Sequence, residues 1–210
     1  MNLSIDNTII GLDRVLRTLV NNAASAQRQS PAHACPENAL SKAERKHSIG
    51  LMRVNHTGEV CAQALYTGQA MTAKLTTIKE QMDHAAEEEI DHLVWCEQRL
   101  TELGGRTSHL NPLFFAASFT VGAMAGLISD KLSLGFVAAT EDQVCTHITE
   151  HLDALPIQDL RSKAILEQMH IDEAEHKQLA LNAGGYLFPK SVMKLMTAVS
   201  KIMTTSTYKV

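Results

Sequence analysis

A chain of 210 residues, 45% of them hydrophobic, can bury the core of one domain, and its net charge of −4 leaves no electrostatic footprint for a nucleic-acid partner. Aromatic residues are only 4% of the chain and no run of alternating β-branched residues occurs, which disfavours strands and points to an all-α class. The cysteines Cys35, Cys61, Cys96 and Cys145 contain no Cys-x-x-Cys pair, and three fall inside helical patterns, so they are expected to be reduced thiols in a reducing compartment.

The first twenty residues, MNLSIDNTIIGLDRVLRTLV, carry Asp6 and Asp13 and lack a basic start followed by an apolar run. That argues against a secretory or mitochondrial leader and for an amphipathic helix through about Asn22. Residues 23–38 contain Ser, Gln, two prolines and Cys35 and read as a linker. Ser41-Lys42-Ala43-Glu44 is a capping box that opens a helix through about Ala73, and Thr77-Ile78-Lys79-Glu80 is read as a second one, opening a helix that stops at Gly104-Gly105.

Asn111-Pro112 is expected to cap and begin a short apolar helix to about Ser129, and another helix runs from about Ser133 until Pro156 ends or bends it. A segment from about Asp159 to Asn182 closes at Gly184-Gly185, with Pro189 beyond. The result is a ferritin-like four-helix bundle over residues 41–210, with a long crossover between Gly104 and Lys131, while residues 1–40 form an N-terminal helix and linker.

The crossover stretch from Leu113 to Ser129 carries no charge yet is short of the roughly 20 residues of a membrane span, so it is not expected to cross a bilayer. Its Gly122 and Gly126 would admit close approach of another backbone or a ligand. Beyond Glu175 there is no acid, whereas Lys177, Lys190, Lys194, Lys201 and Lys209 follow. Val192, Leu195, Met196, Val199, Ile202 and Met203 recur there at helical spacing beside lysines, a pattern that fits an anionic membrane surface and a helix docked on the bundle equally well.

Chemistry enters with a doubled pattern. Glu59 precedes Glu89-Ile90-Asp91-His92 by thirty residues, and Glu141 precedes Glu173-Ala174-Glu175-His176 by thirty-two. A single Glu-x-x-His is weak evidence, since chance supplies somewhat under one in a chain of this composition. Glu44-Arg45-Lys46-His47 illustrates this, because it sits among Lys42, Arg45 and Lys46 with Arg14, not an acid, thirty residues earlier. The matched pair is different. One Glu from each of two helices and a Glu-x-x-His from each of the other two is the ligand set of a two-metal bundle.

Residues three apart share a helix face, so Glu89 with His92, and Glu173 with His176, reach one metal pair. Donors of this kind suit iron or manganese. His92 and Glu59 would hold one ion, His176 and Glu141 the other, with Glu89 and Glu173 bridging. His147, six residues beyond Glu141, is the strongest candidate for an outer hydrogen-bonding partner, ahead of His56, His84, His151 and His170. Asp91, Asp142 and Asp172, each next to a proposed ligand, can also support an imidazole.

Arg53-Val54-Asn55-His56-Thr57-Gly58-Glu59, Glu89-Ile90-Asp91-His92, Ala139-Thr140-Glu141-Asp142 and Asp172-Glu173-Ala174-Glu175-His176 together resemble the demethoxyubiquinone hydroxylase family of ubiquinone biosynthesis, in its bacterial branch. The resemblance covers about residues 41–210. It implies a di-iron monooxygenase with two iron ions per chain, ligated by Glu59, Glu89, His92, Glu141, Glu173 and His176. One atom of O2 would enter the ring of a polyprenylated demethoxyubiquinol, and the other would leave as water.

It further implies peripheral contact with the cytoplasmic face of a bacterial inner membrane and association with other ubiquinone-biosynthesis proteins. Animal members carry His-His-Tyr where this chain has Thr146-His147-Ile148, so roles tied to that Tyr do not transfer. No glycine-rich nucleotide fingerprint identifies the electron donor, which could be NADH, the quinol or a reductase. Another ferritin-like di-iron oxygenase, or a non-enzymatic iron-binding bundle, uses similar ligands.

Overall fold

The computed structural model describes residues 5–210. Its helices are α1 (Ile5–Leu19), α2 (Lys42–Thr72), α3 (Thr76–Glu102), α4 (Asn111–Ile128), α5 (Asp130–Ala154), α6 (Leu160–Asn182) and α7 (Lys190–Thr207), with a short 3-10 turn at Pro31–Ala34; no strand occurs among the described residues. Helices α2, α3, α5 and α6 form the bundle, and α4 lies along α2.

Two apolar clusters fill the ends of the bundle, and a third, Val60, Ala64, Leu93 and Phe115, seats α4 on α2 and α3. Leu51, Met52, Trp95, Leu100, Ile148, Ile165 and Met169 fill one end, and Ala62, Tyr66, Met82, Ala86, Leu134, Val137 and Ala180 fill the other. Followed through these ends, α2 and α6 run one way, and α3 and α5 run the other. Short links join the antiparallel pairs α2/α3 and α5/α6. Because α3 and α5 point the same way, the chain must travel back the length of the bundle between them, and α4 makes that return alongside α2.

Glycine makes the return possible. A Cβ at Gly122 would strike the Leu65 carbonyl, and one at Gly68 would strike the Phe119 carbonyl; at Gly126 it would meet the Thr72 hydroxyl. The expected close approach at Gly122 and Gly126 is thus to α2. Among the described residues, α4 alone is long and apolar enough, by length and composition, to cross a membrane. Here it forms a layer packed on α2, with Leu113, Met124, Leu127 and Ile128 left exposed.

Local signals are met where their partners are local. The Ser41–Glu44 capping box forms in both directions, and Asp159 accepts from the Ser162 N–H to open α6. The second expected box does not mark the helix start, and its Thr77 side chain lies outside the described residues. α3 begins at Thr76 after Leu75, which provides no side-chain cap, and the Asp130 carboxylate accepts the Lys74 and Leu75 N–H groups from across the bundle. Asn111 does not cap α4 either. Its amide oxygen accepts from Thr57 and its nitrogen faces His56, which draws the helix start into the core. α5 starts at Asp130, capped by Ser129, three residues before the expected Ser133.

The stretch read as a linker is a strap across α3 and α6. Gln27 and Arg28 N–H groups bond to Asp91, the Trp95 indole donates to the Arg28 carbonyl, and Arg161 donates to the Cys35 carbonyl. Arg99, nearly fully buried, ties this strap to the bundle through Glu37, Glu102 and Asp159.

Candidate metal centre

Between the two end clusters the four bundle helices turn acids and imidazoles inward. Glu59 comes from α2, Glu89 and His92 from α3, Glu141 from α5, and Glu173 and His176 from α6; all six are buried. Donor atoms of Glu59, Glu89, His92 and Glu173 lie within 4.8 Å of one another.

The two histidines address the same pair of carboxylates. His92 Nδ1 is 3.2 Å from Glu89 Oε2 and 3.0 Å from Glu173 Oε1, while His176 Nδ1 is 3.1 Å from Glu89 Oε1 and 3.3 Å from Glu173 Oε2. Each Nδ1 therefore faces one oxygen from each Glu, so that both imidazoles converge on the same two carboxylates. Glu59 Oε2 stands 3.9 Å from His92 Nδ1. Glu141 is placed by Tyr66, whose hydroxyl donates to Oε1 at 2.6 Å.

The outer ring nitrogens are held in a crossed pattern. His92 Nε2 bonds to Asp172 at 2.8 Å, and His176 Nε2 bonds to Glu88 at 2.9 Å. The acid immediately before each Glu-x-x-His thus orients the histidine of the other module. With Nε2 engaged by an outer carboxylate, each ring turns its Nδ1 inward toward Glu89 and Glu173, the orientation found in carboxylate–histidine–metal triads.

Electrostatics make the cluster costly on its own. Burial, then the charges of Glu89 and Glu173, push Glu59 far above the usual carboxylate range, and burial with the same two charges does so for Glu141. Glu89 is pulled well down: burial opposes this, but the His176 and His92 imidazoles beside it outweigh it. Both histidines rise despite burial, His92 through the Asp172, Glu173 and Glu89 carboxylates beside its ring nitrogens, and His176 up to about 12 through those of Glu173 and Glu89.

Glu89 Oε1, Glu141 Oε2 and Glu173 Oε1 are buried without a hydrogen-bond partner. The first and last sit close to an imidazole nitrogen yet off its hydrogen-bond line. Orphaned carboxylate oxygens converging with imidazole nitrogens fit a shared cation, because divalent ions would neutralise the acids and use those lone pairs.

A cavity of about 440 Å³ reaches the centre at Gly58 and Glu59. Its walls come from α2, α4, α5 and α7 and are mostly apolar, including Leu65, Phe114, Val121, Phe136, Leu195 and Val199; Asn55, Gln143, His147 and His151 add polar groups.

His147 belongs to this cavity and not to the metal cluster. Its Nε2 pairs with Ser200 at 3.0 Å, so the outer-partner role expected for it falls instead to Asp172 and Glu88. Asp91 holds the strap and Asp142 pairs with Lys177. His56 and His151 pair with Asn111 and Asn55, His84 pairs with Glu88, and the His170 carbonyl faces the Cys145 thiol. Glu88 was readable from the sequence, since both modules begin with a second acid; Arg28 had no such signal.

One Glu-x-x-His not singled out in the sequence, Glu167-Gln168-Met169-His170, contributes nothing to the centre. Its Glu167 is exposed and pairs with Lys163.

These helices and this donor set define a ferritin-like protein with a buried carboxylate–histidine group suited to metal. The fold matches the bacterioferritin-related dodecameric thioferritin of Bacteroides fragilis at a TM-score of 0.52 and 17% identity, over 66% of this chain and 84% of that one.

The sequence is more particular. Residues 46–207 match the model of the family described as ubiquinone biosynthesis protein COQ7, and the chain belongs to that family. It is 65% identical to the 3-demethoxyubiquinol 3-hydroxylase of Marinomonas sp. (strain MWYL1), over 98% of both chains. It is also 57% identical to the enzyme of that name from Pseudomonas syringae pv. syringae (strain B728a), over 98% of this chain and 96% of that one.

Proposed function

We propose that this protein is a 3-demethoxyubiquinol 3-hydroxylase, a di-iron monooxygenase of ubiquinone biosynthesis. The observation that carries the reading is the joining of the crossed Glu/His cluster, through Glu59, to an apolar cavity large enough for a substituted quinol ring. Hydroxylases of that name align with nearly the whole chain.

Glu59 with His92, and Glu141 with His176, would hold one iron each, and Glu89 and Glu173 would bridge them. Two iron ions supply the activation of O2 when bound. The chain's own part is geometric. Asp172 and Glu88 fix the imidazoles, Tyr66 orients Glu141, and the apolar walls keep water from the ring that receives the oxygen atom.

The cavity wall includes exposed residues of both α4 and α7, Val121, Leu195 and Val199, and α7 also carries the exposed Ile202, Lys190, Lys194 and Lys201. A polyprenyl chain leaving the cavity between these helices would pass directly into lipid, and the lysines would meet anionic headgroups. This supports peripheral attachment to the cytoplasmic face of a bacterial inner membrane, where other ubiquinone-biosynthesis proteins would hand on the substrate.

The test is genetic and chemical. Deleting the gene in its host should cause demethoxyubiquinone to accumulate by mass spectrometry, and the intact gene should restore ubiquinone. Normal ubiquinone in the deletion strain, with no second hydroxylase present, would refute the assignment.

A further inference from the structure

The crossed triads look symmetric but are built differently. Asp172, which orients His92, is 13% exposed, and the Arg28 guanidinium sits 2.9 Å from its Oδ2. The same guanidinium bonds to Asp91 at 2.7 Å, stacks over the buried Trp95 ring at 4.9 Å and lies 3.4 Å from His92 Nε2. Asp91 belongs to α3 and Asp172 to α6, so Arg28 bridges the two helices just outside the imidazole. The Gln27 and Arg28 N–H groups on Asp91, together with the Trp95 indole on the Arg28 carbonyl, fix the backbone that presents it.

On the other side Glu88, which orients His176, is 40% exposed, and its further partner is the His84 ring, itself 76% exposed, at 3.4 Å. One imidazole is backed by a clamped ion-pair network, the other by a carboxylate that shares its charge with water.

We propose that Arg28 is a positioning residue that locks the His92 half of the centre and makes the two metal positions inequivalent, with a slowly exchanging ion at His92 and a readily exchanged one at His176. For an ion to leave the His92 side, the ring must turn and Asp172 must let go of Nε2, and Arg28 holds Asp172 from behind. For the His176 side, Glu88 has only to swing into solvent. The role of the N-terminal strap follows: it carries Arg28, the one lysine or arginine among the described residues that pairs with an acid supporting these imidazoles. The inference rests on the two-metal reading of the site, and the experiment below separates the two.

The full-length protein is loaded anaerobically with iron(II) and then mixed with excess chelator, and the iron lost is followed with time. Wild type should bind two ions and release them in two phases of equal amplitude, with rates at least about tenfold apart, the scale on which partners of metal ligands alter metal binding. Arg28→Ala should speed the slow phase about tenfold and leave the fast one in place; Arg28→Lys, which keeps the charge but spans the two aspartates poorly, should fall between them. Glu88→Ala should speed only the fast phase.

A strap with a purely structural role would speed both phases together in Arg28→Ala, and that result overturns the inference, as does single-phase release from wild type. Should Arg28→Ala fail to fold, Arg28→Lys decides the matter, and an unchanged slow phase there counts against the clamp. Wild type that binds no iron contradicts the site itself.

Discussion

Helix α3 carries two buried charge clusters, and they are solved in opposite ways. Around Arg99, three carboxylates (Glu37, Glu102 and Asp159) meet a guanidinium at 2.6 to 2.8 Å, Ser162 accepts from Arg99 Nε, and Arg161 adds a second cation near Glu37 and Glu102. Every carboxylate there has a guanidinium partner, although Asp159 Oδ2 is left without a hydrogen bond. Around His92, four buried acids share two imidazoles, no lysine or arginine among the described residues pairs with any of the four, and carboxylate oxygens are left orphaned. The difference separates a network whose acids each have a guanidinium partner and which fastens a chain segment from one whose acids an external cation would neutralise.

The sharpest way to break the comparison is to remove a bridging acid. Glu89→Ala or Glu173→Ala should abolish binding of the metal pair and lower hydroxylation by more than about 100-fold, since even partners of metal ligands are worth 10–100-fold. Metal analysis and quinone turnover check this, and full ubiquinone synthesis by either variant would count heavily against the bridge. Arg99→Ala should do the reverse. It strands Asp159 without its buried partner and should cost about 3–5 kcal/mol in urea unfolding of the metal-free chain, while the folded fraction still binds metal.

Lower pH acts on a third kind of buried group. Burial pushes His56 and His151 down to about 4. Unfolded histidine titrates near 6.5, so the unfolded chain takes up the proton first as pH falls. Stability from the neutral rings is complete above about pH 6.5 and is lost toward pH 4, by up to about 3 kcal/mol for the fully buried His56. His56→Gln should flatten the urea-midpoint profile in that window, and an unchanged profile would contradict the assignment. The smallest effect concerns Tyr66→Phe, which removes one donor from Glu141 and should cost about 1 kcal/mol or less while metal stoichiometry stays the same.

Much of this centre is written in local spacing. Glu59, Glu89, His92, Glu141, Glu173 and His176 stand out because a bundle repeats the same inward position on each helix; the structure buries all six and brings Glu59, Glu89, His92 and Glu173 together with His176 alongside. The helix boundaries set by Ser41, Asp159 and Gly184 were legible for the same reason, each being decided within one turn.

Contacts between distant residues were not legible. Asp130 replaces the expected cap of α3 from 55 and 56 residues away, Asn111 is diverted to Thr57, and Arg28 finds Asp172 only after α3 and α6 have packed. His147 shows the limit of counting along a helix. Six residues from Glu141 places it near the right height but toward α7, where Ser200 takes its ring.

The most direct measurement is the iron content of the purified, anaerobically reconstituted chain, alongside that of Glu89→Ala. The account predicts two ions per chain in the wild type and loss of the pair in the variant. More than two per chain would indicate a storage bundle; none, or two retained without Glu89, would contradict the carboxylate-bridged centre.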